Sequence, residues 1–269
     1  MKVAVATTTI HVPYAVQSLL ACDRTGFELR VFVAGDAKTP PQAYEWCRTK
    51  LDVEVLSADY QLNLPYATVK LLPWNCIQRR NIAVLEALRW GADIVVLWDD
   101  DNIPLNPRYL TDFTDRLTGR FSGLMARGGG WPSAYGADGW FDVGELLVPR
   151  APHRGFPYPG KCRWTYTHTV DATVGVVAGI CMGDPDVGAV ERMANSPTVH
   201  QVSEILHDGI AVDTTLHTVF NSQNTAFVRE LAPAFLLCPQ FRRYDDIIAS
   251  LVAQRVMRER EQHACFGKP

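Results

Sequence analysis

The sequence predicts an α/β fold with a mainly parallel sheet flanked by helices, and two observations predict it. Apolar runs over residues 3–10 and 27–36 enclose helix-spaced apolar residues over 14–21. This β-α-β order with short connections favours parallel strands. The apolar run over residues 92–98 is continuous rather than alternating, which is typical of a strand buried on both faces of a parallel sheet.

Three consecutive carboxylates, Asp99, Asp100 and Asp101, end the continuous apolar run. Ligands of open α/β sheets bind at the carboxyl ends of the strands. Side chains alternate along an extended strand, so Asp99 and Asp101 should share one side while Asp100 points away. Hard oxygen ligands of this kind suit Mg²⁺ or Mn²⁺, particularly when a substrate phosphate completes the coordination. The alternative is an acidic turn after a strand.

The rest of the chain is interpreted from apolar spacing, helix caps and turn residues. The region 121–159 is rich in Gly, Pro and Trp, including Gly128 to Trp131, and it predicts a loop with short strands. Further predicted elements are a strand at Val53–Leu56; helices at 75–91, ending at Gly91, and from Pro107 to Leu117; an apolar run at Val174–Cys181; a helix at Val187–Met193, capped by Asp184 or Asp186; an apolar run at Leu231–Leu237; a helix at Ile247–Arg258; and a strand-like tail at 261–269.

Arg79 and Arg80 lie near the start of the helix predicted over 75–91, where the helix dipole disfavours cations. Their position favours a bound anion, and the alternative is a pair of solvated arginines. Asp36 follows the second strand and fits either a ribose or base contact or an ordinary Asp turn. Asp245 and Asp246 open the last helix, where one acid fits a helix cap and the other a catalytic base.

Length and composition set the class of protein. With 269 residues and 47% hydrophobic residues, the chain can bury a full core as one domain over 1–269. A net charge of −3 disfavours a nucleic-acid partner. No apolar run approaches the ~20 residues of a membrane span. Seven cysteines without a CxxC pair predict reduced thiols, and a strand-like run directly after Met1 predicts no signal peptide. We therefore expect a cytoplasmic protein.

Taken together, the β-α-β opening, a strand ending in Asp-x-Asp and a later acid-bearing helix resemble the GT-A class of nucleotide-sugar glycosyltransferases. The resemblance spans most of the chain and is closer to the reversibly glycosylated polypeptides, which act as UDP-arabinopyranose mutases, and to the STELLO-type glycosyltransferases. The segments that carry it are Gly35-Asp36-x-Lys38-Thr39-Pro40, Arg79-Arg80-Asn81-Ile82, Gly91-Ala92, Asp99 to Asn102, Trp140-Phe141-Asp142, Arg154 to Pro157, Gly183 to Asp186, Asn221 to Ala226 and Arg243 to Ile247.

This resemblance implies a Rossmann-like GT-A domain, with a nucleotide-sugar half over 1–120 and an acceptor half over 121–269. It implies metal-dependent transfer of a hexosyl or pentosyl group, with inversion, from a UDP-sugar to a separate acceptor such as a small molecule. A homo-oligomer is left open. The site residues are, for the nucleotide sugar, Thr7, Thr8, Thr9, Asp36, Arg79, Arg80, Asp99 and Asp100; for Mn²⁺ or Mg²⁺, Asp99, Asp101 and His263; for the base, Asp246 first and Asp245 second; and for the sugar or acceptor, Asp184, Asp186, Trp140 and Arg154.

Alternatives of other classes stay open. A UDP-sugar mutase or self-glycosylating protein would use the same site, but the Ser-Leu-Arg segment that carries the modified arginine in that group has no counterpart at Phe156 to Lys161. A nucleotidyltransferase usually has a Gly-rich signature after its first strand, which residues 3–10 lack. A non-catalytic module would bind the donor without turning it over.

Overall fold

The computed structural model describes residues 1–128, 139–157 and 164–267. The predicted loop residues Gly129 to Trp131, the segment Tyr158 to Lys161 and Cys162 lie outside these residues. Contacts divide the chain into two compact units: Met1–Phe113 with Ala226–Asp245, and Thr114–Thr225 with Asp246–Pro269. The single domain stays a prediction. No helix of the described residues is long and apolar enough to cross a membrane.

In the first unit, strands and helices mostly alternate along the chain. In the second unit, most of the strands are short. The strands are β1 Lys2–Thr9, β2 Glu28–Gly35, β3 Val53–Leu56, β4 Ile94–Trp98, β5 Phe121–Gly128, β6 Gly139–Trp140, β7 Leu147–Val148, β8 Trp164–Gly179, β9 Gln201–Val202, β10 Ile210–Val212, β11 Leu216–His217, β12 Asn224–Val228 and β13 Gln262–Gly267. The α-helices are α1 Val16–Leu20, α2 Pro41–Arg48, α3 Ala58–Leu62, α4 Ala67–Leu71, α5 Arg80–Trp90, α6 Tyr109–Thr118, α7 Ala189–Asn195, α8 Ile205–Asp208 and α9 Asp245–Glu259. The 3₁₀ helices are Ile77–Arg79, Val143–Leu146, Arg229–Phe235 and Pro239–Tyr244.

Parallel strands form the centre of the first unit. β1 pairs in parallel with β2 on one side and with β4 on the other, and β2 pairs in parallel with β3. All five residues of β4 are buried, as the continuous apolar run predicts. Helix α5 packs against β1 and β2 and ends at Gly91, whose φ of 93° is the left-handed conformation of a helix C-cap.

The second unit has a mixed sheet organised by β8, which is 16 residues long. Its first half pairs antiparallel with β5, and its second half pairs in parallel with β13. Strand β10 pairs in parallel with β5 and antiparallel with β13. With mainly parallel pairs and accompanying helices, the mixed α/β class predicted from the sequence is confirmed.

Two local predictions are wrong. The region predicted as a loop with short strands from Phe121 contains the two-residue strands β6 and β7, but it begins with the eight-residue strand β5, because pairing with β8 overrides the weak local pattern. Helix α7 begins at Ala189 after Gly188, without a side-chain cap, so neither Asp184 nor Asp186 caps it.

Candidate functional site

The first unit has a cleft of about 310 Å³ at the carboxyl ends of β1, β2 and β4. This size is typical of small-molecule sites, and the strand ends are where open α/β sheets bind ligands. The lining residues are Thr8, Thr9, Ile10, Asp36, Lys38, Asn75, Cys76, Ile77, Arg80, Asp99, Asp100 and Asp101. The cleft therefore brings together six of the eight residues predicted for the nucleotide sugar and both predicted metal-binding aspartates.

The acidic triplet is a turn rather than an extended strand. Strand β4 ends at Trp98, and the backbone N–H of Asn102 donates to the Asp99 carbonyl over 3.0 Å. Asp99 and Asp100 are half-buried and Asp101 is exposed. The predicted alternation of these side chains is therefore wrong, because it applies only while the chain stays extended.

Negative charge is concentrated at this turn. The Arg80 guanidinium donates to Asp99 Oδ1. Burial raises the pKa of Asp100 and the neighbouring acids raise it further, while a hydrogen bond with Thr9 and the charge of Arg80 act in the opposite direction. A cation at the turn would offset this repulsion. Within the described ranges, no group of three or more His, Cys, Asp or Glu side chains is arranged to hold a metal ion.

Arg79 and Arg80 are both buried, with 1% of each residue exposed, but they have different partners. Arg79 donates to Gln61 Oε1 over 3.0 Å and to the Leu72 carbonyl over 3.2 Å, and its guanidinium carbon lies 3.3 Å from the centre of the Trp74 ring. Burial lowers the pKa of Arg79. None of these partners lines the cleft, whereas Arg80 does, so the structure favours Arg80 over Arg79 for a ligand contact.

Asp36 is buried at the edge of the cleft and binds backbone amides. Its Oδ1 accepts from the N–H groups of Ala37 and Asn75, both over 2.6 Å, and its Oδ2 accepts from that of Cys76 over 3.0 Å. The carboxylate thus holds the Asn75–Cys76 turn, where Asn75 has a φ of 59°, against the end of β2. The sequence did not predict that Asn75 and Cys76 line the cleft, because nothing in their residue types distinguishes this turn from any other turn before a helix.

We expect Asp36→Asn to lower the free energy of unfolding by about 2 kcal/mol without any ligand, because the amide replaces one acceptor by a donor facing backbone N–H groups. Urea unfolding of the full chain measures this effect. Asp52→Asn is the matched control, since its partner Arg24 is an exposed side chain. Equal losses in the two variants would mean that Asp36 is not holding the turn.

The three threonines predicted to bind the nucleotide sugar differ in whether a ligand in the cleft can reach them. Thr8 and Thr9 line the cleft, and their hydroxyls donate to the carbonyls of Ala34 and His11, each over 2.8 Å. Thr7 is completely buried, so a ligand in the cleft cannot reach its hydroxyl. The predicted ligand contact of Thr7 is therefore wrong, and the reason is burial that a run of three identical residues does not reveal.

Arg154 joins two predicted site residues of the second unit. Its Nε and Nη2 donate to Asp186 Oδ1 and Oδ2 over 2.7 and 2.9 Å, and Nη2 also lies 2.9 Å from Asp246 Oδ2. Asn221 Nδ2 donates to Asp186 over 3.0 Å, and the backbone N–H of Ser222 donates to Asp246 over 3.3 Å. These three charged side chains form a nearly buried network, which we call the Arg154 network.

The Arg154 network shifts the pKa values of Arg154 and Asp186. Burial by itself would raise the pKa of Asp186, but the hydrogen bond from Arg154, the charge of His153 and the amide of Asn221 bring it below its usual value. Burial would lower the pKa of Arg154, and the two carboxylates raise it instead. Both shifts favour the ionised forms of Arg154 and Asp186. A cavity of about 40 Å³ lined by His153, Asp186 and Asn221 adjoins it. Sequence reasoning missed His153.

The remaining predicted residues lie in separate surroundings. Asp245 is buried in the first unit, where its Oδ2 accepts from Gln78 Nε2 over 2.6 Å. In the second unit, Asp184 is exposed and pairs with Arg192. The Trp140 ring lies 5.0 Å from that of His217, measured between centroids, and packs against Phe156, Val219 and Ile247. His263 lies on β13, with Nδ1 3.2 Å from the Val212 carbonyl oxygen.

Comparison with known proteins identifies no family for this chain. No protein-family model matches it, and no curated protein matches it significantly. The resemblance to the GT-A class and to the mutase and STELLO-type groups therefore stays a prediction.

Solved structures of S. aureus TarS show a weak likeness. The structure of TarS 1-349 aligns over 100% of this chain and 60% of its own length, with 14% identity and a TM-score of 0.46. TarS 1-349 in complex with UDP-GlcNAc aligns over 48% of this chain and 34% of its own, with 23% identity and a TM-score of 0.33. The complex of TarS 1-349 with UDP aligns over 48% of this chain and 35% of its own length, with 21% identity and a TM-score of 0.32. The chain thus spans 34% to 60% of the length of these TarS chains, and all three TM-scores lie below 0.5.

Proposed function

We propose that this protein is a metal-dependent glycosyltransferase that moves a sugar from a UDP-sugar to an acceptor with inversion. One observation carries the proposal: the first unit gathers Asp36, Arg80 and the acidic triplet around one cleft at the carboxyl ends of parallel strands. A nucleoside diphosphate sugar offers a flat base, hydroxyls and charged phosphates. The cleft offers hydroxyl, amide, cationic and carboxylate groups to match.

On the donor, we assign the uridine to the part of the cleft formed by Thr8, Thr9 and the turn that Asp36 holds. Asp36 contributes through this turn, because its carboxylate oxygens already accept three backbone N–H groups. Arg80 is assigned to the diphosphate. Charge on that leaving group grows as the anomeric C–O bond breaks, so a cation there stabilises the transition state more than the ground state.

The residues at the acidic turn suit a hard divalent cation. Asp101 is exposed and Asp99 borders the cleft, and both offer carboxylate oxygens of the kind that Mg²⁺ and Mn²⁺ prefer. A bound ion supplies charge neutralisation for the leaving diphosphate, whose oxygens would complete the coordination. His263 is not part of this proposal, because no group of three His, Cys, Asp or Glu side chains in the described part of the chain is arranged to hold a metal ion.

For the base, we propose Asp246 first and Asp245 second. Arg154 and the Ser222 backbone N–H donate to the Asp246 carboxylate, so an acceptor hydroxyl would share its oxygens. Asp245 accepts from Gln78 Nε2 over 2.6 Å. The carboxylate that acts as the base would take the acceptor's proton as the acceptor attacks.

The acceptor is assigned to the second unit. Asp184 is the most exposed of the four residues predicted for it, whereas Arg154 and Asp186 are engaged with each other. Trp140 is half-buried and offers a partly exposed ring to a sugar. We propose Asp184 and Trp140 as direct acceptor contacts, and Arg154 and Asp186 as the groups that shape the surface beneath.

A thermal-shift panel of nucleotide sugars, each with Mn²⁺ and with EDTA, tests the proposal. A ligand that binds only the folded protein raises its apparent stability with concentration. We expect a UDP-sugar to raise the melting temperature only with Mn²⁺, and an assay on that donor to show release of UDP when an acceptor is added. A mass increase of the protein itself would favour self-glycosylation. A shift with other phosphate ligands but with no nucleotide sugar would contradict the proposal.

A further inference from the structure

An exposed segment of the first unit stands out from its surroundings. Residues 238–244, which we call the arm, contain the 3₁₀ helix Pro239–Tyr244. The last five residues of the arm, Gln240 to Tyr244, are all exposed, including two aromatic rings that are 47% and 53% exposed at Phe241 and Tyr244. The two residues between these rings are Arg242 and Arg243. Two cations and two rings in five exposed residues make this a surface suited to a charged ligand.

Both ends of the arm are hydrogen-bonded to residues adjacent in sequence to Ile77 and Arg80 of the cleft lining. On one side, Asn81 Nδ2 donates to the Leu237 carbonyl over 2.7 Å, and the Leu237 N–H donates to Asn81 Oδ1 over 3.0 Å. On the other side, Gln78 Nε2 donates to Asp245 Oδ2 over 2.6 Å. All four of these anchoring residues are buried. The arm therefore leaves from and returns to the short stretch 78–81, which includes Arg80 of the cleft lining.

The arm has a strained backbone at its centre. Arg242 has φ 52° and ψ −121°, a conformation that residues other than glycine rarely adopt. Such conformations persist where the surrounding structure holds them, and they concentrate at ligand-binding segments. Here the buried anchors on Asn81 and Gln78 supply that constraint, so the strained residue is an arginine held at the surface.

The charge of the cleft explains what the arginines would do. Its lining has four carboxylates and two cationic side chains, Lys38 and Arg80, and Arg80 already pairs with Asp99. A divalent cation would offset that excess, but the diphosphate would then add at least two further negative charges. Additional cations are needed, and the arm carries two of them on a segment anchored on either side of Arg80 in the sequence, at Gln78 and Asn81.

We propose that Arg242 and Arg243 form a phosphate-binding element for the ligand of the first unit's cleft. The element recognises phosphate oxygens rather than the base. This inference rests on the proposed function only for the nucleoside part of the ligand. The affinity of a ligand then depends on its number of phosphates.

Calorimetric titration of the full chain with uridine, UMP and UDP, each with Mn²⁺, tests this element. We expect Arg242→Gln with Arg243→Gln to weaken UDP binding by about 10- to 100-fold, since each charge-assisted hydrogen bond contributes about a factor of ten or more. Uridine binding should change by less than about twofold. The control pair, Arg24→Gln with Arg48→Gln, removes the same charge from other exposed positions and should leave both affinities nearly unchanged.

A second variant separates loss of charge from loss of fold. Arg242→Gly with Arg243→Gln removes both cations and places at position 242 a residue that adopts its φ without strain. It should fold at least as stably as the parent chain and show the same selective loss of UDP affinity. Equal weakening of uridine and UDP, or unchanged UDP affinity, would overturn the proposal.

Inorganic diphosphate with Mn²⁺ keeps the test independent of the proposed function. If no nucleotide binds but diphosphate does, and the arm variants weaken it, the phosphate-binding element stands while the proposed donor fails. If neither UDP nor diphosphate binds the parent chain, the element is overturned. If UDP binds and is turned over but the arm variants bind it normally, the proposed function stands without the element.

Discussion

Asp101→Asn should reduce the rate of sugar transfer by on the order of a thousandfold, which corresponds to about 4 kcal/mol of transition-state stabilisation. The carboxylate is the exposed member of the acidic turn, and it lies at the cleft without the arginine that pairs with Asp99. An amide is a poor ligand for a hard divalent cation compared with a carboxylate, so charge on the leaving diphosphate would lose its main compensation. Steady-state kinetics with a UDP-sugar found by the thermal-shift panel measures the loss.

The Asp101 variant should remain folded, because exposed substitutions usually change stability by less than about 0.5 kcal/mol. Asp59→Asn is the matched control: it removes one exposed carboxylate from the same unit, in the first turn of α3. We expect ordinary activity from the control and a loss of Mn²⁺ dependence in the Asp101 variant. Ordinary activity in Asp101→Asn would exclude the acidic turn as the metal site.

Arg154→Met should lower the free energy of unfolding by about 3 to 5 kcal/mol, the usual cost of leaving buried charges without their partner. The side chains of Arg154, Asp186 and Asp246 are only 12%, 11% and 9% exposed. Methionine keeps a similar length and apolar stem but leaves two carboxylates facing each other. Urea unfolding of the full chain at pH 7 measures the difference.

Two comparisons separate the charge effect from packing. Arg192→Met removes an arginine from the exposed pair with Asp184 and should cost between 0 and about 1 kcal/mol. Adding Asp186→Asn and Asp246→Asn to Arg154→Met should recover much of the loss, because no unpaired charge then remains. A loss in Arg154→Met no larger than in Arg192→Met would show that the network contributes little to stability.

The Arg154 network also makes the free energy of unfolding depend on pH. The pKa of Asp186 in the folded protein lies below its ordinary value of 3.8. Its contribution to stability is therefore complete above that ordinary value and is lost as the pH falls through the lowered folded pKa. In Arg154→Met the buried carboxylates are easier to protonate, so the deficit of the variant should shrink as the pH is lowered from 7 towards 3.8.

Local pattern determined the main elements of the first unit. The continuous run before Asp99 specified a doubly buried strand, and Gly91 specified the end of the helix before it, because both depend on residues that are neighbours in the chain. The gathering of Asp36 and the acidic triplet also followed from local pattern, since the carboxyl ends of parallel strands meet at one edge of a sheet.

Partners distant in the chain were decided only by the tertiary structure. Arg154 meets Asp186 and Asp246 across 32 and 92 positions, and no spacing rule connects residues so far apart. Pattern also could not separate Arg79 from Arg80. Adjacent helical positions differ by about 100° in direction, so one faces Gln61 in the interior while the other faces the cleft.

The sequence by itself thus determined a mixed α/β fold and the position of three consecutive carboxylates directly after a buried strand. Three facts were decided only by the tertiary structure. The Asp36 carboxylate accepts hydrogen bonds from backbone amides, Thr7 is completely buried, and Asp246 forms an ion pair with Arg154. The physical reason is that residue type sets which bonds a side chain can make, whereas burial and long-range packing set which of them remain for a ligand.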